Sequence, residues 1–195
     1  MKVTGGYYVV LLLVTAACNS PEKRFESLHN TVPVVQVNGV TPGYTDDGKP
    51  IERIITGKTT PTELVHYATS LTGIPYKYGS TDPKEGFDCS GFITYVFNHF
   101  GIIVPRRSVD FTNVDHEISL QDAKTGDLVL FTGTDSTDRT VGHMGIIIVQ
   151  PMSPPHFIHS TSGKAYGVTT TPLNTYYMGR YMKTIRIFPQ NELSR

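Results

Sequence analysis

"EGFDCSGFITYVFNHFG", residues 85–101, is the stretch where a turn gives way to a helix. Asp88 has the acceptor side chain that a helix start requires. Phe92, Ile93, Val96, Phe97 and Phe100 then recur at helical spacing and make a wide apolar face, and Gly101 supplies the stop. Cys89 falls in the first turn. There, unpaired amide groups and the helix dipole favour negative charge, which on its own predicts a thiol activated toward thiolate.

The flanking sequence follows the same grammar. In "TPTELVHYATSLTG", Thr60 reads as a cap, Pro61 as the first helical residue and Glu63 as the closing member of a capping box. Leu64, Tyr67, Ala68 and Leu71 share one face, and Gly73 ends the segment. Beyond Gly126 the period changes. "GDLVLFTG", "GHMGIIIVQ", "HFIHSTS", "YGVTTTPL" and "YMKTIRIFP" are short, rich in branched and aromatic residues, and separated by turn formers. Helices first and strands afterwards predict an α+β domain, with amino-terminal helices packed on an antiparallel sheet.

The chain has two cysteines, and the context of the other separates their roles. "MKVTGGYYVVLLLVTAACNS" has a weakly basic start, an apolar run from Tyr7 to Ala17 and small residues before Cys18. That is the pattern of a secretory signal, too short for a membrane span of roughly 20 residues. The ending Ala16-Ala17-Cys18 resembles a bacterial lipobox, which implies a lipidated Cys18, a membrane anchor and a place in the cell envelope. Residues 1–18 are thus read as a signal segment and residues 19–60, with their scattered Pro and Gly, as a tether. Within the tether "VPVVQVNGV" is a strand-like piece, and residues 61–190 form the domain. Seventeen basic residues balance seventeen acidic ones, so nothing points to electrostatic nucleic-acid binding.

A cysteine nucleophile needs a base, and imidazole is the usual one. The strand region offers His143 in "VGHMGIII" and His156 and His159 in "PHFIHS". His159 would share a strand face with Phe157, and His156 with Ile158, so a regular strand presents only one of the two to a given site. Gly142 and Gly145 flank His143 and permit close approach.

Taken in order, "GIPYKYGSTDPKEGFDCSGFITYVF", "VPRRS", "TGDLVLF", "GHMGIII" and "FIHSTS" resemble the NlpC-type cell-wall peptidases, papain-like cysteine endopeptidases of bacterial peptidoglycan. The resemblance covers roughly residues 60–190. It implies Cys89 as nucleophile, His143 as general base and His159 as the residue orienting His143. It implies Tyr76 at the oxyanion site, and Asp88 and Ser90 at substrate-binding positions beside the nucleophile. The implied substrate is the bond between D-isoglutamate and the diamino acid of a peptidoglycan stem, cleaved without a cofactor.

Three alternatives belong beside this expectation. Cys89, His143, His156 and His159 are residue types that bind zinc, although only "HFIH" is closely spaced. An inactive wall-binding protein and an amidase or acyltransferase would use the same fold. Tyr176, Tyr177 and Tyr181 read as packing aromatics, and "RRS" at Arg106 to Ser108 either as a substrate contact or as a solvated helix start. His66, His99 and His116 are placed on helix or loop surfaces without a role.

Overall fold

The computed structural model describes residues 49–193 except 152. Cys18, the apolar run before it and "VPVVQVNGV" lie outside the described residues. The first helix, α1, spans Pro61–Ser70; Thr60 accepts from the Glu63 amide and Glu63 returns to the Thr60 amide, a reciprocal capping box. Helix α2 spans Cys89–His99 with Asp88 as its cap. Strands β1 (His116–Ile118), β2 (Leu128–Thr132), β3 (Val141–Ile148), β4 (His156–Thr161) and β5 (Gly167–Pro172) follow. The six-residue helix α3 (Thr175–Arg180), strand β6 (Tyr181–Arg186) and the terminal turn α4 (Gln190–Leu193) complete the order. The strands form one antiparallel sheet in the order β1-β6-β2-β3-β4-β5.

Alternation along the central strands divides the core between two faces. Leu128 and Leu130 of β2, Met144 and Ile146 of β3, and Ile158 of β4 join Leu64, Ala68, Phe92, Ile93, Val96 and Phe97 from the two long helices. Val129, Phe131, Ile147 and Phe157 point the other way and are covered by Tyr177 of α3. Strand β2 is buried along its whole length because both faces are covered. Its continuous apolar sequence is what such a position demands.

Three features differ from the expectations. His116 begins a short edge strand, β1, and its Nε2 meets Glu192 at 2.8 Å; three residues are too few for a periodic signal. Helix α3 was not anticipated, although Asn174 caps it by accepting from the Tyr177 amide. The packed domain also starts before residue 61. Ile51 and Ile54 are buried in the core, and the Ile54 amide donates to the Asp115 carboxylate at 2.9 Å.

The carboxy-terminal strand is tied down by one buried carboxylate. Asp127, fully buried, accepts from Arg186 at 3.1 Å, from the Asn191 amide at 3.1 Å and from the Lys124 backbone at 2.8 Å. Arg186 is itself buried, and removing Asp127 leaves its charge facing only the half-exposed Glu192, 3.9 Å away. Asp127→Ala should cost about 3–5 kcal/mol, read as a lowered urea midpoint; a loss below about 1 kcal/mol would show that Arg186 finds other compensation. Among the described residues, no helix is long and apolar enough to cross a membrane.

Candidate active site

Cys89 stands at the first position of α2 because its neighbours leave the chain little choice. Asp88 accepts from the Gly91 amide through one oxygen and from the Gly79 amide, at 2.9 Å, through the other. Arg106 closes the arrangement, reaching both Asp88 oxygens at 3.2 and 3.1 Å, the Ser90 hydroxyl at 3.0 Å and the Gly79 carbonyl at 2.9 Å. Gly91 is required by this packing: a Cβ there would strike the Ser80 carbonyl.

Asp88 and Ser90, expected beside substrate, are therefore buried parts of the support under Cys89, 8% and 5% exposed. They lie outside the residues lining the adjoining cavity. Arg106 is neither a solvated helix start nor a cavity residue.

His143 comes from β3 at a bulge. Phe131 pairs with His143 and Thr132 with Val141, which leaves Gly142 as the extra residue. Its carbonyl, out of the regular ladder, lies 3.9 Å from the Cys89 sulfur. Bulges re-aim strands near sites in this way. One step further, Gly145 makes room on the His143 face; a Cβ there would approach the Phe157 ring to 2.6 Å and His159 Cβ to 3.1 Å. His159 uses this space. Its Nδ1 lies 2.8 Å from His143 Nε2, and its Nε2 lies 3.0 Å from the Thr171 hydroxyl.

Two tautomer sets satisfy these contacts, because the Thr171 hydroxyl can accept or donate, and only one of them leaves His143 a free lone pair toward the cavity. In that set His143 Nε2–H donates to His159 Nδ1, His159 Nε2–H donates to Thr171 Oγ1, and His143 Nδ1 keeps its lone pair. His156 turns away and donates from Nδ1 to the Pro154 carbonyl at 2.8 Å. Cys89 and the three histidines thus do not converge as a common zinc ligand set.

Cys89, His143, Tyr76, Tyr177 and Arg180 line one cavity of about 1030 Å³. No hydrogen bond joins Cys89 to His143 among the described residues, so the thiol and the imidazole must approach for a proton to pass between them. Tyr177 is a packing residue, ring to ring with Phe157 at 4.8 Å and with His159 at 5.6 Å. Tyr176 is exposed on the cavity wall. Thr171 and Arg180 were not anticipated: Thr171 is recognisable only once the β4–β5 register sets it near His159.

Electrostatics at the thiol run against the helix-terminus expectation. Burial, then the Asp88 charge, push Cys89 up to about 11, outweighing the Ser90, Cys89 and Met144 amides that lower it. Burial, then His159 and Arg180, hold His143 well below the usual imidazole value. Burial and then Arg180 hold His159 down at about 3. All three shifts favour a protonated sulfur beside neutral imidazoles.

A profile described as the NlpC/P60 family matches residues 73–187. The chain belongs to the NlpC/P60 family. It is 34% identical over 124 residues to the gamma-DL-glutamyl hydrolase of Bacillus subtilis, covering 64% of this chain and 29% of that protein. It is 32% identical over 121 residues to the murein DD-endopeptidase MepS/murein LD-carboxypeptidase of Escherichia coli, covering 61% of this chain and 58% of the relative. A probable endopeptidase NlpC homolog of Haemophilus influenzae is 27% identical over 184 residues, covering 90% and 93% of the two chains. The solved NlpC/P60 protein from Bacillus cereus superposes with a TM-score of 0.60 at 27% identity, over 69% of this chain and 42% of that one.

Two outcomes follow for the NlpC/P60 site. Alkylation of Cys89 by iodoacetamide should rise about tenfold per pH unit through pH 7–10, because thiolate remains the minor form; a rate already flat below pH 7 would mark a resting ion pair instead. The second concerns acid. Unfolded histidine takes its proton near 6.5, whereas His159 in the fold does so only at about 3. Its neutral burial therefore costs nothing above pH 6.5. Below that, stability falls by up to about 1.4 kcal/mol per pH unit until the folded value is reached. Urea midpoints for His159→Gln should decline less steeply between pH 6.5 and 4; identical slopes would place the acid lability elsewhere.

Proposed function

We propose that the protein is a cysteine endopeptidase of the bacterial cell wall that cleaves peptidoglycan stem peptides between D-isoglutamate and the diamino acid. The observation that carries this reading is the chain His143–His159–Thr171 beside a thiol at a helix start, with Cys89, His143 and Thr171 opening on one cavity and His159 buried behind them. Family membership and relatives named as hydrolases and endopeptidases support it.

In this mechanism His143 Nδ1 takes the Cys89 proton as sulfur attacks the carbonyl carbon. His159 accepts from His143 Nε2–H and so steadies the imidazolium that forms. The Cys89 backbone amide and the Tyr76 hydroxyl donate to the developing oxyanion. Tyr76 keeps its proton for that purpose, since burial, then Cys89 and Asp88, push it up. His143 then returns the proton to the leaving amine, giving a thioester. Water, deprotonated by His143, attacks the thioester and releases the acid and the thiol. A neutral resting pair means that charge appears only during attack, where the site is arranged to receive it.

Attachment to a membrane through a lipidated Cys18 is part of the same proposal and rests on the apolar run and small residues that precede it. Purified peptidoglycan, digested and analysed by mass spectrometry, tests the reaction. Cys89→Ala should release no fragments while remaining folded, and new D-isoglutamate carboxyl ends should appear with the unaltered protein. Sugar-amide cleavage or transpeptidation products would replace this reading with an amidase or acyltransferase. Tyr76→Phe should lower kcat by up to about 10²–10³. His159→Ala should lower turnover strongly and His156→Ala should change it little; the reverse order would assign the supporting role to the wrong histidine.

A further inference from the structure

The cavity beside Cys89 carries positive charge without a matching acid. Arg180, at the end of α3, lines it while being only 7% exposed, and the exposed Lys164 stands on the same cavity. Among the described residues that line it, none is Asp or Glu.

Arg180 also differs from the other inward-facing arginines. Arg106 faces Asp88 and Arg186 faces Asp127, whereas the Arg180 partners are neutral: the Tyr176 hydroxyl and the Thr132 carbonyl, both at 2.9 Å. Its Nε is buried with no partner. A guanidinium has five N–H donors, so most of its bonding capacity is unspent. The rings of Tyr176 and Tyr177 lie 5.2 and 5.7 Å from its central carbon, which fixes the fork without occupying its edges. Burying a charge without a counter-ion is costly, and a ligand anion supplies the missing partner.

We propose that Arg180 is the receptor for a substrate carboxylate close to the scissile bond, so that the enzyme selects stem peptides whose acyl residue carries a free carboxylate over those in which it is amidated. This rests on the peptidase reading of the cavity. In a γ-linked D-isoglutamyl residue the group read is the α-carboxylate, which a planar fork binds in two-point fashion. Lys164, exposed at the same cavity, adds attraction but no geometry.

The test compares two synthetic stem peptides that differ only in D-isoglutamate carboxylate against carboxamide, titrated calorimetrically into the Cys89→Ala protein. The carboxylate should bind about 10- to 100-fold more tightly. Adding Arg180→Gln should erase the preference, and adding Arg180→Lys should restore part of it. Arg180 also holds the Thr132 carbonyl, so thermal melts accompany the variants; if they unfold, the two peptides on the Cys89→Ala protein alone still decide. Equal affinity for the two peptides, or a preference surviving in a folded Arg180→Gln variant, overturns the proposal. With the cysteine intact, equal kcat/KM on both peptides overturns it and leaves the peptidase standing. Failure to cleave either, with the affinity difference preserved, removes the peptidase reading and supports the carboxylate receptor.

Discussion

The Asp88 carboxylate is the constraint on which the position of the thiol depends. It caps α2 through the Gly91 amide, holds the turn at Gly79 and receives the fork of Arg106. A cap alone contributes about 1 kcal/mol; joined to a largely buried arginine it becomes an interaction whose loss leaves a charge unpaired. Because Arg106 also reaches the Ser90 hydroxyl and the Gly79 carbonyl, the helix start and the preceding turn move as one piece. The sulfur of Cys89 is thus placed by a rigid support rather than by its own contacts, the strongest of which is a 3.9 Å approach to a carbonyl.

That support has an electrostatic consequence. The same carboxylate that positions Cys89 opposes its ionisation, and so does the burial that packing around the helix start imposes. Helix amides favour thiolate, but removing the sulfur from water disfavours it more. On the other side of the cavity, burial and Arg180 keep the histidines neutral. Both halves of the site therefore resist charge separately. A proton transfer between them needs a substrate carbonyl to receive the electrons, which suits a peptide bond and discourages idle oxidation of the thiol.

Much of this was legible in the sequence wherever the signal was local. The Thr60–Glu63 box, the Asp88 cap, the apolar face of α2 and the branched runs that became β2 to β6 are short-range patterns, and each appears in the fold. The pairing of His143 with His159 also had a local cue, the two-residue alternation that puts His159 with Phe157. What stayed hidden depends on chain segments far apart. Arg106 meets Asp88 across eighteen positions, Thr171 reaches His159 only through β-register, and the fall in thiol acidity requires knowing how deeply the helix start is covered. Ile51 and Ile54 looked like part of a tether because two apolar residues carry no period, yet their burial extends the domain.

The glycines around His143 show how sequence and chemistry meet. Gly142 is the bulge residue whose carbonyl turns toward Cys89, and Gly145 opens the face of β3 on which His159 sits. Without the first, the ladder would continue past His143 and the Gly142 carbonyl would not be turned out of it toward Cys89. Without the second, the His159 ring would be pushed from the 2.8 Å contact that orients the His143 ring. Burial does most to lower the basicity of the pair, and the Arg180 charge lowers both imidazoles further. An anion placed on that guanidinium would act in the opposite direction, raising the affinity of His143 for a proton, and would do so only while a ligand fills the cavity. Backbone geometry thus sets the two imidazoles against each other, and burial together with the charge on the far wall governs how readily they take a proton.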